Sequence, residues 1–237
     1  MEPVPAAADF VATHFPDALV ALVSGSVLTP DRTETSDLDV VVLLDGSPAP
    51  FRATYRHAGW VVEAFVQTRE SLALYSDHDA ARRVPSLLRM CGESEVVVDR
   101  CGLAAGIQEE ARRRLAAGPG PLEEPDRDAM RYLLTDLLED LAGCRSDDEL
   151  AHIAGLLLVR AADLALAVAG AWGGTGKGLH RALVRHDADL AGRLADAHRQ
   201  AVAGEAREPL RTVVREVLDG AGGPLLEGYR VAGRTGR

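Results

Sequence analysis

Three carboxylates stand where carboxylates are costly. Asp37 and Asp39 flank Leu38 at the head of an apolar run, Val40 to Leu44, and Glu63 interrupts the strand-like stretch Val61-Val62-Glu63-Ala64-Phe65-Val66. An acid buried in such a stretch without a partner is expensive. Side chains alternate along a strand, so Asp37 and Asp39 are expected on one side, with backbones about 7 Å apart. Carboxylates that close repel unless a cation lies between them, and hard oxygen ligands suit Mg²⁺. Phosphoryl transfer uses such ions to neutralise a triphosphate and to stabilise the entering and leaving oxygens. The parity of Glu63 places it with Val61 and Phe65, where it could ligate a metal, deprotonate a hydroxyl, or do both.

The other half of the pattern lies upstream. The run Ala18 to Val23 ends at Ser24-Gly25-Ser26, which suits a buried strand delivered into a tight turn. Glycine lets a phosphate approach the backbone, where N–H groups can donate to it, and the Ser26 hydroxyl adds a donor. Ser36, directly ahead of Asp37, joins the candidate phosphate contacts. Each feature also has a plain reading: Gly-Ser as a turn, Asp-x-Asp as a solvated strand end, Glu63 as an edge-strand charge. The specific signal is their order: strand, Gly-Ser, spacer, Asp-x-Asp strand, hairpin, Glu strand.

That order requires particular elements. A first helix is expected over Pro5 to Phe15, strands over Ala18–Val23, Asp37–Leu44, Phe51–Arg56 and Trp60–Gln67, and a hairpin turn at His57-Ala58-Gly59 with Gly59 at positive φ. Helical character follows from Glu70 to Met90, then a short strand, Glu95 to Val98, and an amphipathic helix, Leu103 to Ala117. Gly118-Pro119-Gly120-Pro121-Leu122-Glu123-Glu124-Pro125 reads as a linker. The expected division is therefore residues 1–120 as an α/β domain and 121–237 as a helical domain, with the active site in the cleft between them.

The segment from Gly25-Ser26 to Asp37-Leu38-Asp39, with Glu63 downstream, resembles the signature of the polymerase-β nucleotidyltransferase superfamily over roughly residues 10 to 100. The resemblance implies an α/β fold with a mixed sheet flanked by helices. It also implies two Mg²⁺ ions on Asp37, Asp39 and Glu63, a phosphate contact from Ser26, and transfer of a nucleoside monophosphate, often AMP from ATP, to a hydroxyl. Members often continue Gly-Ser with a small residue, an Arg and a Gly. Here Val27-Leu28-Thr29-Pro30-Asp31-Arg32 follows, so the helix after the turn is expected to be short or distorted, with Arg32 reaching phosphate from a shifted position.

Beyond the linker everything reads as helix. Met130, Leu133, Leu134, Leu137, Leu138 and Leu141 form a stripe at helical spacing, and Ser146-x-x-Glu149 is a capping box opening a helix to about Ala169. Two further helices, Leu190–Val202 and Pro209–Leu218, complete a bundle, and the end, Ala232 to Arg237, reads as a frayed tail. The bundle resembles the C-terminal domains of aminoglycoside and lincosamide nucleotidyltransferases. Gly173-Gly174-Thr175-Gly176-Lys177-Gly178 is not a P-loop: that spacing needs Gly at position 171 and Ser or Thr at 178, where the chain has Ala171 and Gly178. Lys177, read as lying on a mobile loop, and Arg181 one turn on are candidates to close over the triphosphate. On the helix from Asp126 to Ala142, Asp128, Tyr132, Asp136, Glu139 and Asp140 lie opposite the leucines. Asp136 and Asp140 are the candidate contacts for a cationic acceptor, a solvated polar face being the plain alternative.

Composition sets the outer limits. Of 237 residues 47% are hydrophobic and the formal net charge is −10, a balance that disfavours sequence-independent binding to nucleic acid. The apolar runs are shorter than the ~20 residues of a membrane span, and Met1-Glu2-Pro3-Val4-Pro5 lacks the basic and apolar regions of a secretory signal. Cys91, Cys101 and Cys144 have no ligand or disulfide spacing. A cytoplasmic nucleotidyltransferase with free thiols is the expectation, acting on a small hydroxylated molecule, with antibiotics among the candidates. The rivals are nucleotidylation of a protein or tRNA, as in toxin–antitoxin systems, and a catalytically silent nucleotide-binding regulator. Acceptor, nucleotide preference and oligomeric state are not encoded in any readable pattern.

Overall fold

The computed structural model describes residues 1–30 and 32–232; Asp31 and the expected tail beyond Ala232 lie outside the described residues. The chain forms two units, residues 1–118 and 119–237, each with its own core.

In the first unit the order is α1 (Pro3–His14), β1 (Val20–Ser24), a 3₁₀ turn (Ser26–Leu28), β2 (Leu38–Leu43), β3 (Phe51–His57), β4 (Trp60–Gln67), α2 (Arg69–Ala81), α3 (Ser86–Gly92), β5 (Glu95–Asp99) and α4 (Ala104–Ala117). The strands make one mixed sheet in the order β3-β4-β2-β1-β5. β2 and β4 run parallel and the other neighbours antiparallel. Strand alternation sorts the side chains into two faces. Leu38, Val40, Val42, Val62, Ala64 and Val66 pack with Ala6, Ala7, Phe10 and Val11 of α1. On the opposite face, α3 meets β1 and β2, and α4 meets β1. The β3–β4 corner of that second face is left more open: Glu63 and Phe65 are half-buried, and Arg52, Thr54 and Arg56 are exposed.

Local chemistry explains the ends of these elements. Pro3 occupies the first turn of α1, where its missing N–H costs nothing. Thr68 and Ser71 form a reciprocal capping box on α2. The helical stretch expected from Glu70 to Met90 divides into two helices, because Arg83 adopts φ 58° and Pro85 follows, which breaks the backbone ladder. The hairpin turn is shorter than expected. His57 belongs to β3, and Ala58 (φ 50°) and Gly59 (φ 87°) form a two-residue turn whose positive φ values match the twist of paired strands. His57 itself is not a free surface group, since its Nε2 lies 2.7 Å from Asp9 Oδ2 and its ring packs on Phe10.

The second unit is a helical bundle: α5 (Glu124–Gly143), α6 (Asp147–Val168), α7 (Lys177–His186), α8 (Ala188–Val202) and α9 (Glu208–Gly220). Leu134, Leu137, Leu138 and Leu141 of α5 pack with Leu150, Ala154, Leu157 and Leu164 of α6. Leu133 departs from the expected stripe and is 40% exposed. Ser146 caps α6 by accepting the Glu149 N–H. By length and composition α6 would suffice to cross a bilayer, with a mean hydropathy of 1.7 over its apolar window, a property the apolar-run lengths concealed. Here its buried residues form the middle of the bundle. The glycine cluster leads directly into α7. A side chain on Gly174 would lie 2.7 Å from the Gly178 carbonyl carbon, and Gly178 N donates to Thr175 O, so the cluster folds tightly into the start of α7.

All three cysteines are free. Burial pushes the Cys91 thiol up to about 12, which leaves roughly one thiolate in ten thousand at pH 8, whereas Cys101 is exposed. Iodoacetamide at pH 8 should therefore modify Cys101 and leave Cys91 untouched until denaturant is added, as read by peptide mass. Labelling of Cys91 as fast as Cys101 in the native protein would contradict the packing of α3.

Candidate metal centre

The parallel pairing of β2 with β4 is what assembles the acids. Its register sets Asp39 opposite Glu63, and residues opposite one another in a ladder project to the same face. Asp37 precedes β2 by one residue rather than lying within it. Its carboxylate still converges: Asp37, Asp39 and Glu63 each offer an oxygen, and these oxygens lie within 4.8 Å of one another. Oxygens around one Mg²⁺ lie about 3 to 4.2 Å apart, given bonds of about 2.1 Å. Shifts of a few tenths of an ångström would let the three carboxylates share a divalent cation.

Two features of the surroundings fit that reading. Gly25 sits at the end of β1 with φ 102° and ψ −179°, a conformation open in practice only to glycine. A Cβ there would come within 2.7 Å of Asp39 Oδ2. The glycine thus provides the space in which Asp39 holds its carboxylate, a role beyond the phosphate approach expected from sequence. The second feature is a cation already drawn to the cluster. Arg52 Nη2 of β3 donates to Glu63 Oε2, and its guanidinium carbon lies 4.7 Å from the Phe65 ring centroid.

The Gly-Ser turn continues into a single 3₁₀ turn, Ser26–Leu28, in keeping with the departure at Val27-Leu28-Thr29-Pro30. Ser26 Oγ lies 3.0 Å from Ser36 Oγ, which also accepts the Thr33 N–H at 2.9 Å. This serine clasp ties the start of the spacer to its end and fixes the approach of the chain to Asp37. Gly25, Ser26 and Ser36 therefore gather beside the acids.

Arg32 does not join them. It lies 3.7 Å from Glu2 and 5.1 Å from the Trp60 ring centroid, and Trp60 has the parity of the opposite sheet face. Lys177 is the exposed first residue of α7 and Arg181 lies one turn on, both in the second unit, as are Asp136 and Asp140, which are exposed on α5. The rest of the acidic face is partly engaged: Asp128 pairs with Arg131 at 2.8 Å and Tyr132 stacks on Tyr229.

Arg52 is the residue beside the acids that sequence reading missed. The available signal was its parity with Thr54 and Arg56, combined with the hairpin register that pairs Thr54 with Glu63.

Gly25 gives the site its most specific structural requirement. Gly25→Ala should cost about 1–3 kcal/mol in urea unfolding, from the backbone conformation alone. A loss under about 0.5 kcal/mol, the range of neutral surface changes, would mean that Asp39 does not need this space.

The chain matches no family model and no curated protein. Among solved structures it is similar to a nucleotidyltransferase-like protein from Exiguobacterium sibiricum 255-15, at 12% identity and a TM-score of 0.43 over 92% of this chain and 77% of that one. The assignment of the site therefore rests on its own residues.

Proposed function

We propose that the protein is a metal-dependent nucleotidyltransferase. The observation that carries this reading is the convergence of Asp37, Asp39 and Glu63 beside the Gly25-Ser26 turn. Asp37, Asp39 and Glu63 hold the divalent cations, two Mg²⁺ ions being the expected complement. Bound there, the metal neutralises the triphosphate and stabilises the entering and leaving oxygens. The chain's own groups do the rest. The glycine turn keeps the approach to Asp39 clear, Ser26 offers a hydroxyl to a phosphate oxygen, and Ser36 holds that hydroxyl in place. A carboxylate, Glu63 being the candidate, accepts the proton of the attacking hydroxyl. The acceptor oxygen forms its bond to the α-phosphorus as the bond to pyrophosphate breaks, and pyrophosphate leaves.

ATP is the first choice of donor, carried by the resemblance, and Lys177 and Arg181 are further candidate triphosphate ligands. Three acids that repel one another when empty should be stabilised by a ligand that binds only the folded state. Mg²⁺ with a nucleoside triphosphate should raise the melting temperature, Asp39→Asn should lose most of that shift, and Lys177→Ala should lose part of it. Indifference of the wild-type protein to every triphosphate, with Mg²⁺ or Mn²⁺ present, would falsify this reading.

A small hydroxylated acceptor is favoured over a macromolecule by the charge of −10, which repels a polyphosphate backbone. Exposed Asp136 and Asp140 suit a cationic one. Enzyme given ATP labelled at the α-phosphate should mark a component of an aminoglycoside and lincosamide pool, and replacing both aspartates with Asn should raise the apparent KM for it several-fold. Label found only in tRNA or in a protein band would replace the small acceptor with a macromolecular one.

A further inference from the structure

Glu63 is asked to serve two cations. As a ligand of the candidate metal centre its carboxylate must face Asp37 and Asp39, yet its Oε2 accepts a charge-assisted hydrogen bond from Arg52. A guanidinium and a divalent ion held by one carboxylate repel each other and compete for the same negative charge. Among the described residues Arg52 is the cation paired with Glu63. The pair is not sealed in: the Arg52 side chain is 59% exposed and that of Glu63 24%, so the bond is of the kind that solvent keeps weak and exchangeable.

The position of Arg52 is not that of a stray surface charge. It lies on β3 opposite Phe65, two residues along β3 from Thr54, which faces Glu63. Its guanidinium therefore reaches diagonally to the acid while resting over the Phe65 ring. If the link to Glu63 is broken, the ring contact still holds the charge on the open face of the sheet, next to the cluster. Planar guanidinium is well matched to phosphate oxygens, to which it can donate two parallel hydrogen bonds.

We propose that Arg52 is an exchangeable counter-ion that couples metal loading to triphosphate binding: it neutralises Glu63 while the centre lacks metal, yields that carboxylate to the divalent cation, and transfers its hydrogen bonds to the incoming triphosphate. The proposal rests on the nucleotidyltransferase reading and assigns a regulator of that same site. Metal alone must displace Arg52 with nothing to receive it. Metal with triphosphate exchanges one anionic partner for another, so the two ligands strengthen each other's binding, reciprocally, as linkage demands.

Mn²⁺ affinity, measured by electron paramagnetic resonance with and without a non-hydrolysable α,β-methylene nucleoside triphosphate, separates the parts. Arg52→Gln removes the competing charge. It should bind Mn²⁺ alone roughly two- to fivefold more tightly than wild type, the range a partly exposed pair allows, and gain less from the triphosphate. Arg52→Lys keeps the charge but loses the planar fork, so it should fall between the two and serves if the glutamine variant does not fold. Unchanged or weaker Mn²⁺ binding in Arg52→Gln, or an undiminished triphosphate effect, overturns the exchange. If wild type binds Mn²⁺ and Asp39→Asn does not, such a result removes the exchange and leaves the metal centre standing. If wild type binds no Mn²⁺ under either condition, both fall together.

Discussion

Three carboxylates within 4.8 Å of one another are mutually repulsive, and the surrounding structure is built to hold them there. Two come from neighbouring parallel strands locked in register, Asp39 against Glu63, and the third enters one residue ahead of β2. The core on the α1 side, with Leu38, Val40, Val42, Val62 and Ala64 buried, prevents the strands from sliding. A slip of one residue would turn the acids into that core and the valines out. Hydrophobic burial on one face thus supplies the force that resists charge repulsion on the other.

The details near the acids serve the same constraint. Gly25 stands where a Cβ would meet the Asp39 carboxylate, so the motif glycine is required by an acid distant in sequence as much as by any phosphate. Ser26 and Ser36 hold the two ends of the spacer together, which restrains the approach of the chain to Asp37. Arg52 supplies a positive charge beside Glu63. Each contact restrains or neutralises a charge that the strands alone would leave exposed to its neighbours.

How much of this was legible in the sequence depended on distance along the chain. The acids were legible because strand parity is local, and a carboxylate inside Val61-Val62-Glu63-Ala64-Phe65-Val66 has no plain packing role. Arg52 was not, because an arginine on an alternating edge strand looks like any solvated charge until the hairpin register sets it beside Phe65. Arg32 was misplaced because the path of the spacer, which takes it to Glu2 and Trp60, is decided by tertiary contact. In the second unit the α5 leucines announced a helix, whereas α7 was hidden. It opens on Gly176 and Lys177 and buries only Leu179, Ala182 and Leu183, too few apolar positions to stand out after a glycine cluster. The break between α2 and α3 combines Pro85 with Arg83 at positive φ, a conformation that no composition rule assigns to arginine.

The proposed chemistry requires a divalent cation shared by Asp37, Asp39 and Glu63. The direct measurement is an anomalous difference map from crystals of the protein grown with Mn²⁺ and a non-hydrolysable triphosphate, collected near the manganese edge. An anomalous peak is expected about 2.2 Å from oxygens of Asp37 and Asp39, with Glu63 turned toward it and the phosphates reaching the same ion. Crystals that bind the triphosphate but show no anomalous peak among these three carboxylates would contradict it.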